Sequence, residues 1–229
     1  LEGLPRYTET AFGEIPDSVP VIEGGIEYAA PIREGQKTGW FYDQRDNRQR
    51  FERYASGRVL DVFCYTGAWG LSAAVRGAEA AFVDASASAL AAVEDNAARL
   101  GVEAERHRGS AFDVLRSLRA DGRRFDAVVV DPPAFIKRRK DHRKGLTAYQ
   151  RINQLAMTLL DREGLLVSCS CSQHLSVRDL LGAVERAARH VDRHVQVLEI
   201  GGQAADHPIH PAIAETRYLK ALFCRVLPA

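Results

Sequence analysis

The sequence predicts an α/β fold: a seven-stranded, mostly parallel sheet with helices on both faces, preceded by a small β-hairpin segment. Three observations predict it. From residue 58 onward, short apolar runs alternate with helical stretches of about 10–15 residues, the pattern of β–α units feeding a parallel sheet. Runs such as FDAVVV and GLLVSC are continuously apolar rather than alternating, as strands covered on both faces require. The 229 residues, 46% hydrophobic and 27% charged, suit one large globular domain or one with a small appendage. Together these describe a Rossmann-like architecture.

The elements follow in order. Residues 1–20 are turn-rich, with Pro5, Gly13, Pro16 and Pro20, and read as irregular. Val21–Pro31 carries two strand-like runs around Gly24-Gly25, a hairpin signal. Phe51 and Tyr54 share a helical face in the stretch from Asp43 to Tyr54. The expected division is a hairpin segment over 1–42 and the main domain over 43–229. Strands are expected at Arg58–Phe63, Ala80–Asp84, Glu103–His107, Phe125–Val130, Gly164–Cys169, Val195–Ile200 and Tyr218–Val226. Helices are expected at Gly67–Val75, from Ser86 to Leu100, and at Ser110–Leu118, Thr147–Leu160 and Ser176–His190. Ser86 is the expected N-cap of its helix and Gly101 its stop. No internal repeat is visible.

Composition excludes several classes. Cys64, Cys169, Cys171 and Cys224 are too few for a disulfide scaffold, which points to a reducing compartment, the cytoplasm. The balance of 31 basic against 30 acidic residues excludes wholesale electrostatic binding to nucleic acid, though not a local patch. No run of about 18 apolar residues exists to span a membrane as a helix, and the N-terminus lacks the form of a signal peptide. Cysteines and histidines have no metal-ligand spacing, so no metal is expected. The chain starts at Leu1 rather than Met, which suggests a piece of a longer protein.

In a doubly wound sheet, ligands sit beyond the carboxyl ends of the strands. The first such end runs Asp61-Val62-Phe63-Cys64-Tyr65-Thr66-Gly67-Ala68-Trp69-Gly70 and lacks the first glycine of the dinucleotide fingerprint GxGxxG. It suits a nucleoside with an amino-acid tail, with Asp61, Tyr65, Thr66 and Gly67 as candidate contacts. The second ends in Asp84, placed to accept hydrogen bonds from a ribose diol. The third is followed by Ser110, Ala111 and Phe112, candidates for the adenine edge and ring face, or a plain helix cap. The fourth ends in Asp131-Pro132-Pro133-Ala134-Phe135, where two prolines impose a stiff extended corner that aims Asp131 into the crevice. The fifth ends in Ser168-Cys169-Ser170-Cys171-Ser172. Alternation keeps Cys169 and Cys171 on one side, with Cys171 at the crevice. A thiol opposite a carboxyl is what covalent catalysis on a pyrimidine requires, provided that positive charge or a helix N-terminus favours the thiolate. A buried structural cysteine pair is the alternative. The basic run Lys137–Lys144 follows the proline corner, and Lys137, Arg138, Arg139 and Lys140 are candidate phosphate contacts.

Seven segments carry a resemblance: QKTGWFYDQRDNR, LDVFCYTGAWGLS, VDASASAL, DPPAF, YQRINQLA, SCS, and QAADHP through YLKALFCRVL. With these the chain resembles the class I S-adenosylmethionine-dependent methyltransferases, and more narrowly the large-subunit ribosomal RNA cytosine-5 methyltransferase family. The resemblance spans about residues 21–227. It implies S-adenosyl-L-methionine as cofactor, ribosomal RNA as partner and Cys171, from the SCS motif, as nucleophile; Cys169 is not part of that motif. It also implies closure of the first segment over the cofactor, with Thr38, Phe41, Asp43 and Arg45 as candidates. Family members carry a PUA domain before the hairpin, which nothing ahead of Val21 is long enough to form. Ser110 stands where the family often has an acidic residue for the adenine amino group.

The expected chemistry is thiolate attack of Cys171 on carbon 6 of a flipped-out cytosine held by Asp131, with Pro132 and Phe135 beside the base. Three alternatives remain at this stage: methylation of a guanine or an exocyclic amine, a small-molecule methyltransferase, and an RNA-binding homologue without catalysis. A homodimer is left open.

Overall fold

The computed structural model describes residues 10, 12–33 and 39–229; the expected site residue Thr38 and half of the expected irregular N-terminus lie outside the described residues. A two-stranded antiparallel sheet comes first, β1 (Ser18–Glu23) and β2 (Ile26–Pro31). Gly24 and Gly25 turn between them at φ of 59° and 78°, the left-handed pair that a tight hairpin needs. A 3₁₀ turn at Tyr42–Gln44 leads into helix α1 (Arg45–Phe51), so the expected helix starts two residues later and stops before Tyr54.

The main sheet holds β3 (Arg58–Val62), β4 (Glu79–Asp84), β5 (Glu105–Arg108), β6 (Phe125–Val130), β7 (Leu160–Ser170), β8 (Arg193–Gly201) and β9 (Lys220–Pro228). Their spatial order is β5-β4-β3-β6-β7-β9-β8. The first five run parallel, and β9 lies antiparallel between β7 and β8. Five helices join them: α2 (Ala68–Ala74), α3 (Ala87–Leu100), α4 (Ala111–Ala120), α5 (His142–Leu159) and α6 (Val177–Arg189). The Rossmann-like fold class is as expected. The order reverses between β3 and β6, so the two strands that end in Asp61-Val62 and Val129-Val130 flank the switch point.

Local chemistry accounts for the boundaries. Ser86 caps α3 by accepting the Ala89 N–H at 3.2 Å, and Gly101 ends it at φ 67°. Ser176 and Asp179 form a capping box on α6. Three expectations shift. Helix α5 begins at His142 rather than Thr147, so the end of the basic run is helical. Strand β7 begins at Leu160, four residues early, with an irregular register near Phe125 and a left-handed Glu163. The uniformly apolar pattern holds for β3, β4 and β6 but not for the edges: β5 is ERHR, and β8 shows only Gly201 buried. An edge strand has a solvated side, and charge there discourages pairing with another chain.

One core lies between the sheet and α4, α5 and α6, built on Leu60, Val128, Ile152, Met157 and Leu166. The other face packs β2, α2 and α3, where Tyr28, Trp40, Leu71, Phe82 and Val93 form a second core shared by hairpin and sheet. Buried Asn96 of α3 clamps β2 in both directions, accepting the Ala29 N–H at 2.7 Å and donating to its carbonyl at 3.2 Å. Burying each such large apolar side chain contributes roughly 1.5–3 kcal/mol. The hairpin therefore sits on the main domain through apolar packing as well as polar clamps.

Candidate active site

The chain ends of β3, β4, β5, β6 and β7 open onto one cavity of about 740 Å³. Its first wall is the loop after β3. Here Phe63 (φ 64°), Tyr65 (φ 50°) and Gly67 (φ 81°) all adopt the left-handed conformation. Two of the three bear a Cβ, at a cost of roughly 1–2 kcal/mol each. The loop is held by its neighbours: Phe63 and Cys64 N–H groups donate to the Val83 carbonyl at 2.8 and 3.1 Å, and Tyr65 N–H donates to Asp84 Oδ2 at 3.1 Å. Ser86 N–H donates to the other Asp84 oxygen at 2.9 Å. Asp84 is thus fixed at the cavity rim by two backbone amides. Gly70 is obligatory for packing, because a Cβ there would lie 2.4 Å from the Phe82 ring, while Gly67 is favoured by its left-handed φ.

Asp61 lies under this loop, fully buried, and its Oδ2 accepts the Gly70 N–H at 2.9 Å. Its Oδ1 has no hydrogen-bond partner. Burial raises the carboxyl to about 7, against the opposing pull of the Gly70 amide, and nearby Asp131 and Asp84 add to the rise. A buried carboxyl with one unpartnered oxygen beside a backbone loop suits a cationic ligand group.

The opposite wall comes from β6, β7 and the segment before α1. Asp131 follows β6, and burial raises its carboxyl to about 6. Gln44 Nε2 and Trp69 Nε1 both donate to its Oδ2, at 3.0 and 3.3 Å. The other oxygen is left for the cavity. Gln44 is itself oriented by Asn47, whose amide donates to Gln44 Oε1 at 2.7 Å and to the Gly202 carbonyl at 2.9 Å. Cys171, one residue beyond β7, lines the same cavity and is half-buried, whereas Cys169 is fully buried in an apolar cluster with Trp69 and Phe223.

The serines around Cys171 face the other way and lock the turn. Ser170 Oγ donates to Tyr149 Oη at 2.8 Å, Tyr149 and Ser172 hydroxyls meet at 2.9 Å, and Ile136 N–H donates to Ser172 Oγ at 3.2 Å. Helix α5 thereby ties the cysteine turn to the segment after the proline corner. On the β9 side, buried Lys220 donates to the carbonyls of Ser172 at 2.6 Å and Tyr218 at 2.8 Å.

The segment before α1 closes the cavity from above. Phe41 meets Tyr65 edge-to-face at 5.3 Å, and the Tyr65 hydroxyl donates to the Gly39 carbonyl at 3.3 Å. Asp43 Oδ2 accepts the Tyr218 hydroxyl at 2.7 Å. Arg48, buried, pairs with Glu23 of the hairpin, donates to the Phe41 carbonyl at 2.9 Å and lies over the Trp40 ring. The hairpin thus braces this cover.

Of the residues singled out by sequence, Phe41, Asp43, Tyr65, Thr66, Asp84, Ser110, Ala111, Phe112, Asp131, Pro132 and Cys171 all line the cavity. Asp61 and Gly67 stand behind its wall. Arg45 does not reach it: its guanidinium faces Asp206 at 3.3 Å on the outside. Phe135 packs among Phe63, Phe112 and Tyr149 instead of lining the cavity. Lys137, Arg138, Arg139 and Lys140 are exposed beyond the corner, clear of the cavity. Ser110 occupies the N-cap position of α4, yet its hydroxyl makes no cap bond. Sequence reasoning assigned no role to Gln44, Arg48, Tyr149 or Lys220, although all four fall inside the segments that carried the resemblance.

Relatives sharpen this picture. The chain is 40% identical over 98% of its length to ribosomal RNA large subunit methyltransferase I of Shewanella denitrificans, and 40% identical over 98% to the protein of that name from Aeromonas hydrophila. The chain spans 58% of the length of each. Among solved structures, the SAM-dependent methyltransferase of Agrobacterium tumefaciens shares the fold, with a TM-score of 0.70 at 20% identity over 99% of this chain and 75% of that one. The family described as "conserved hypothetical protein 95" matches residues 47–194, from α1 to the start of β8, and the chain belongs to that family.

Proposed function

We propose that the chain is the catalytic part of an S-adenosyl-L-methionine-dependent large-subunit ribosomal RNA methyltransferase, and that its product is 5-methylcytosine formed through a covalent adduct on Cys171. The observation that carries the reading is the common cavity of Cys171 and Asp131, with Asp84 at its other end and Asp61 buried behind its wall. The names of the relatives at 40% identity support ribosomal RNA as the substrate. The cavity chemistry fits the cofactor. Asp84 offers carboxylate oxygens to ribose hydroxyls, the unpartnered Asp61 Oδ1 offers a negative charge toward an ammonium, and Phe112, Ala111 and Ser110 would meet the adenine. Phe41, Tyr65 and Asp43 would cover it.

Bound there, the cofactor supplies an electrophilic methyl group to carbon 5. The chain supplies the rest. Cys171 Sγ, as thiolate, bonds to carbon 6 of the cytosine, and the electron pair of the 5,6 double bond moves into the ring. Asp131 meets ring nitrogen 3 and the exocyclic amine. Its raised pKa of about 6 lets it share a proton with nitrogen 3 as charge builds there. After carbon 5 is alkylated a general base, solvent water in the open cleft or a side chain not assigned to this step, takes its proton; the carbon–hydrogen electron pair reforms the double bond and the carbon–sulfur pair returns to sulfur as the thiolate. Trp69 and Gln44 keep the carboxyl in place by bonding its inner oxygen.

The target base must be unpaired or flipped, since carbons 5 and 6 are covered within a stacked helix. The exposed Lys137–Lys140 stretch follows directly on the Pro132–Ala134 rim and offers phosphate contacts there. Phe135, held in its aromatic cluster, would brace the rim. Incubation with ribosomal RNA and methyl-labelled cofactor, followed by nucleoside identification by mass spectrometry, tests the reading. Label in 5-methylcytosine is expected; label in a guanosine or on an exocyclic amine would overturn the assigned base.

A further inference from the structure

Cys171 needs a reason to ionise, and the carboxyls that line its cavity do not provide one. Among the described residues, the titratable groups around it are Tyr149 from α5, Cys169 from β7, Tyr218 ahead of β9 and Lys220 from β9, with Asp131, Asp43 and Arg48 lining the same cavity. Two of these are cations, and Arg48 is already paired with Glu23, which leaves Lys220. Its place is set by the sheet: Lys220 is the register partner of Ser170, and its ammonium reaches past Cys171 to the carbonyl of Ser172 at 2.6 Å. The lysine therefore brackets the cysteine, through backbone pairing on one side and a side-chain bond on the other. A second bond to the Tyr218 carbonyl at 2.8 Å fixes the ammonium, which is only 3% exposed. Two of the three N–H donors are thus spent on carbonyls, and the third remains for sulfur.

A buried lysine bonded only to neutral carbonyls is uncompensated charge, which a protein tolerates poorly unless an anion stands beside it. We propose that this anion is the Cys171 thiolate, and that Lys220 is the positioning residue that holds the sulfur ionised for attack. The inference rests on the reading of Cys171 as nucleophile. Protons balance without an external base: Cys171–SH with Lys220–NH₂ becomes Cys171–S⁻ with Lys220–NH₃⁺. Burial lowers Lys220 to about 8, with Cys171 pulling the other way, so both of its forms are accessible near neutrality. When sulfur bonds to carbon 6 the negative charge moves to the base; on elimination the thiolate returns to the waiting ammonium.

The test is the pH profile of Cys171 alkylation by iodoacetamide, read on the peptide carrying residue 171; the other three cysteines are buried. In Lys220→Met the midpoint should rise by about one pH unit or more, so that the rate at pH 7 falls about tenfold. Lys220→Arg keeps the charge and should stay within about threefold of the native rate. Superimposable native and Lys220→Met profiles, in proteins with equal melting temperatures, would overturn the pairing. So would equal shifts in the Met and Arg variants, which would indicate packing rather than charge. Should Lys220→Met not fold, thiolate absorbance of the native protein, with Cys171→Ala as blank, decides: a midpoint at or above the ordinary thiol value of about 8.5 excludes a stabilised thiolate. Methylation surviving in Cys171→Ala would end the nucleophile reading, and the alkylation profile would still decide the ion pair.

Discussion

The two ends of the cavity are built by different means. At the β3–β4 end, functional groups are held by backbone amides of the adjoining loops: Asp61 by Gly70, and Asp84 by Tyr65 and Ser86. At the β6–β7–β9 end they are held by side chains far away in sequence. Gln44 reaches Asp131 across 87 positions, Lys220 reaches Ser172 across 48, and Tyr149 reaches Ser172 across 23. The first end is a preformed cradle whose geometry depends on a strained loop. The second depends on a network in which each polar atom needs its partner, and such networks fail when one member goes. A ligand cradle and a reaction centre can therefore be damaged independently.

The largest expected separation comes from Cys171→Ala. Turnover should fall by at least about a thousandfold, because the attacking atom is gone. Cofactor affinity by calorimetry should stay within about twofold, because Asp61 and Asp84 are held by backbone amides of Gly70, Tyr65 and Ser86. A Kd raised along with the lost activity would show the two ends to be one unit. Cys169→Ala, in the apolar cluster below, should keep most of the activity. At the other end, Asp84→Ala should weaken cofactor binding by roughly 10- to 100-fold, the loss of charge-assisted hydrogen bonds. Its rate at saturating cofactor should be little changed, and an unaltered Kd would remove Asp84 from ribose binding.

This contrast also explains what was legible beforehand. The strand ends, the Gly67 turn, Asp84, the proline corner and Cys171 are local: each sits at a strand terminus, and topology alone delivers it to the cleft. The class of the fold was legible for the same reason, since the alternation of β3 through α6 repeats a local pattern. The supporting cast was not. Nothing in the spacing of Gln44, Tyr149 or Lys220 declares its partner, because those bonds cross from the turn before α1, from α5 and from β9 only after the sheet has formed. Arg45 illustrates the converse, since it sits in the right segment but on the outward side of its turn, against Asp206. The charged edges β5 and β8 depart from the apolar rule because topology, which assigns the edges, is not written in any one strand.

A smaller effect should follow from Gln44→Ala. Asp131 would keep Trp69 as its donor and lose the shorter of two bonds. One neutral donor to a buried carboxyl is worth about 1–2 kcal/mol, so turnover should fall about 5- to 30-fold. Cofactor affinity should hold. A larger loss in binding than in rate would mean that Gln44 supports the cofactor cover rather than the reaction centre.

The smallest effect tests the cradle in the absence of ligand. Asp61 has a folded pKa of about 7, raised by burial above its ordinary value of 3.8. The folded chain therefore binds more protons than the unfolded chain between about pH 4 and pH 7. By linkage, this carboxyl makes stability fall as pH rises through that window, with its full cost present above pH 7. Asp61→Asn keeps an oxygen for the Gly70 amide and removes the charge. At pH 8 the ligand-free variant should melt above the native chain, by roughly 2–4 °C for each kcal/mol relieved. The gap should close below about pH 4, where the native carboxyl is neutral in both states. Cofactor binding should weaken in the same variant, since the negative charge that faces the ligand is gone. A variant that melts below native at pH 8 would mean that the buried carboxylate is compensated inside the chain, and that the ligand-free cradle carries no stored cost.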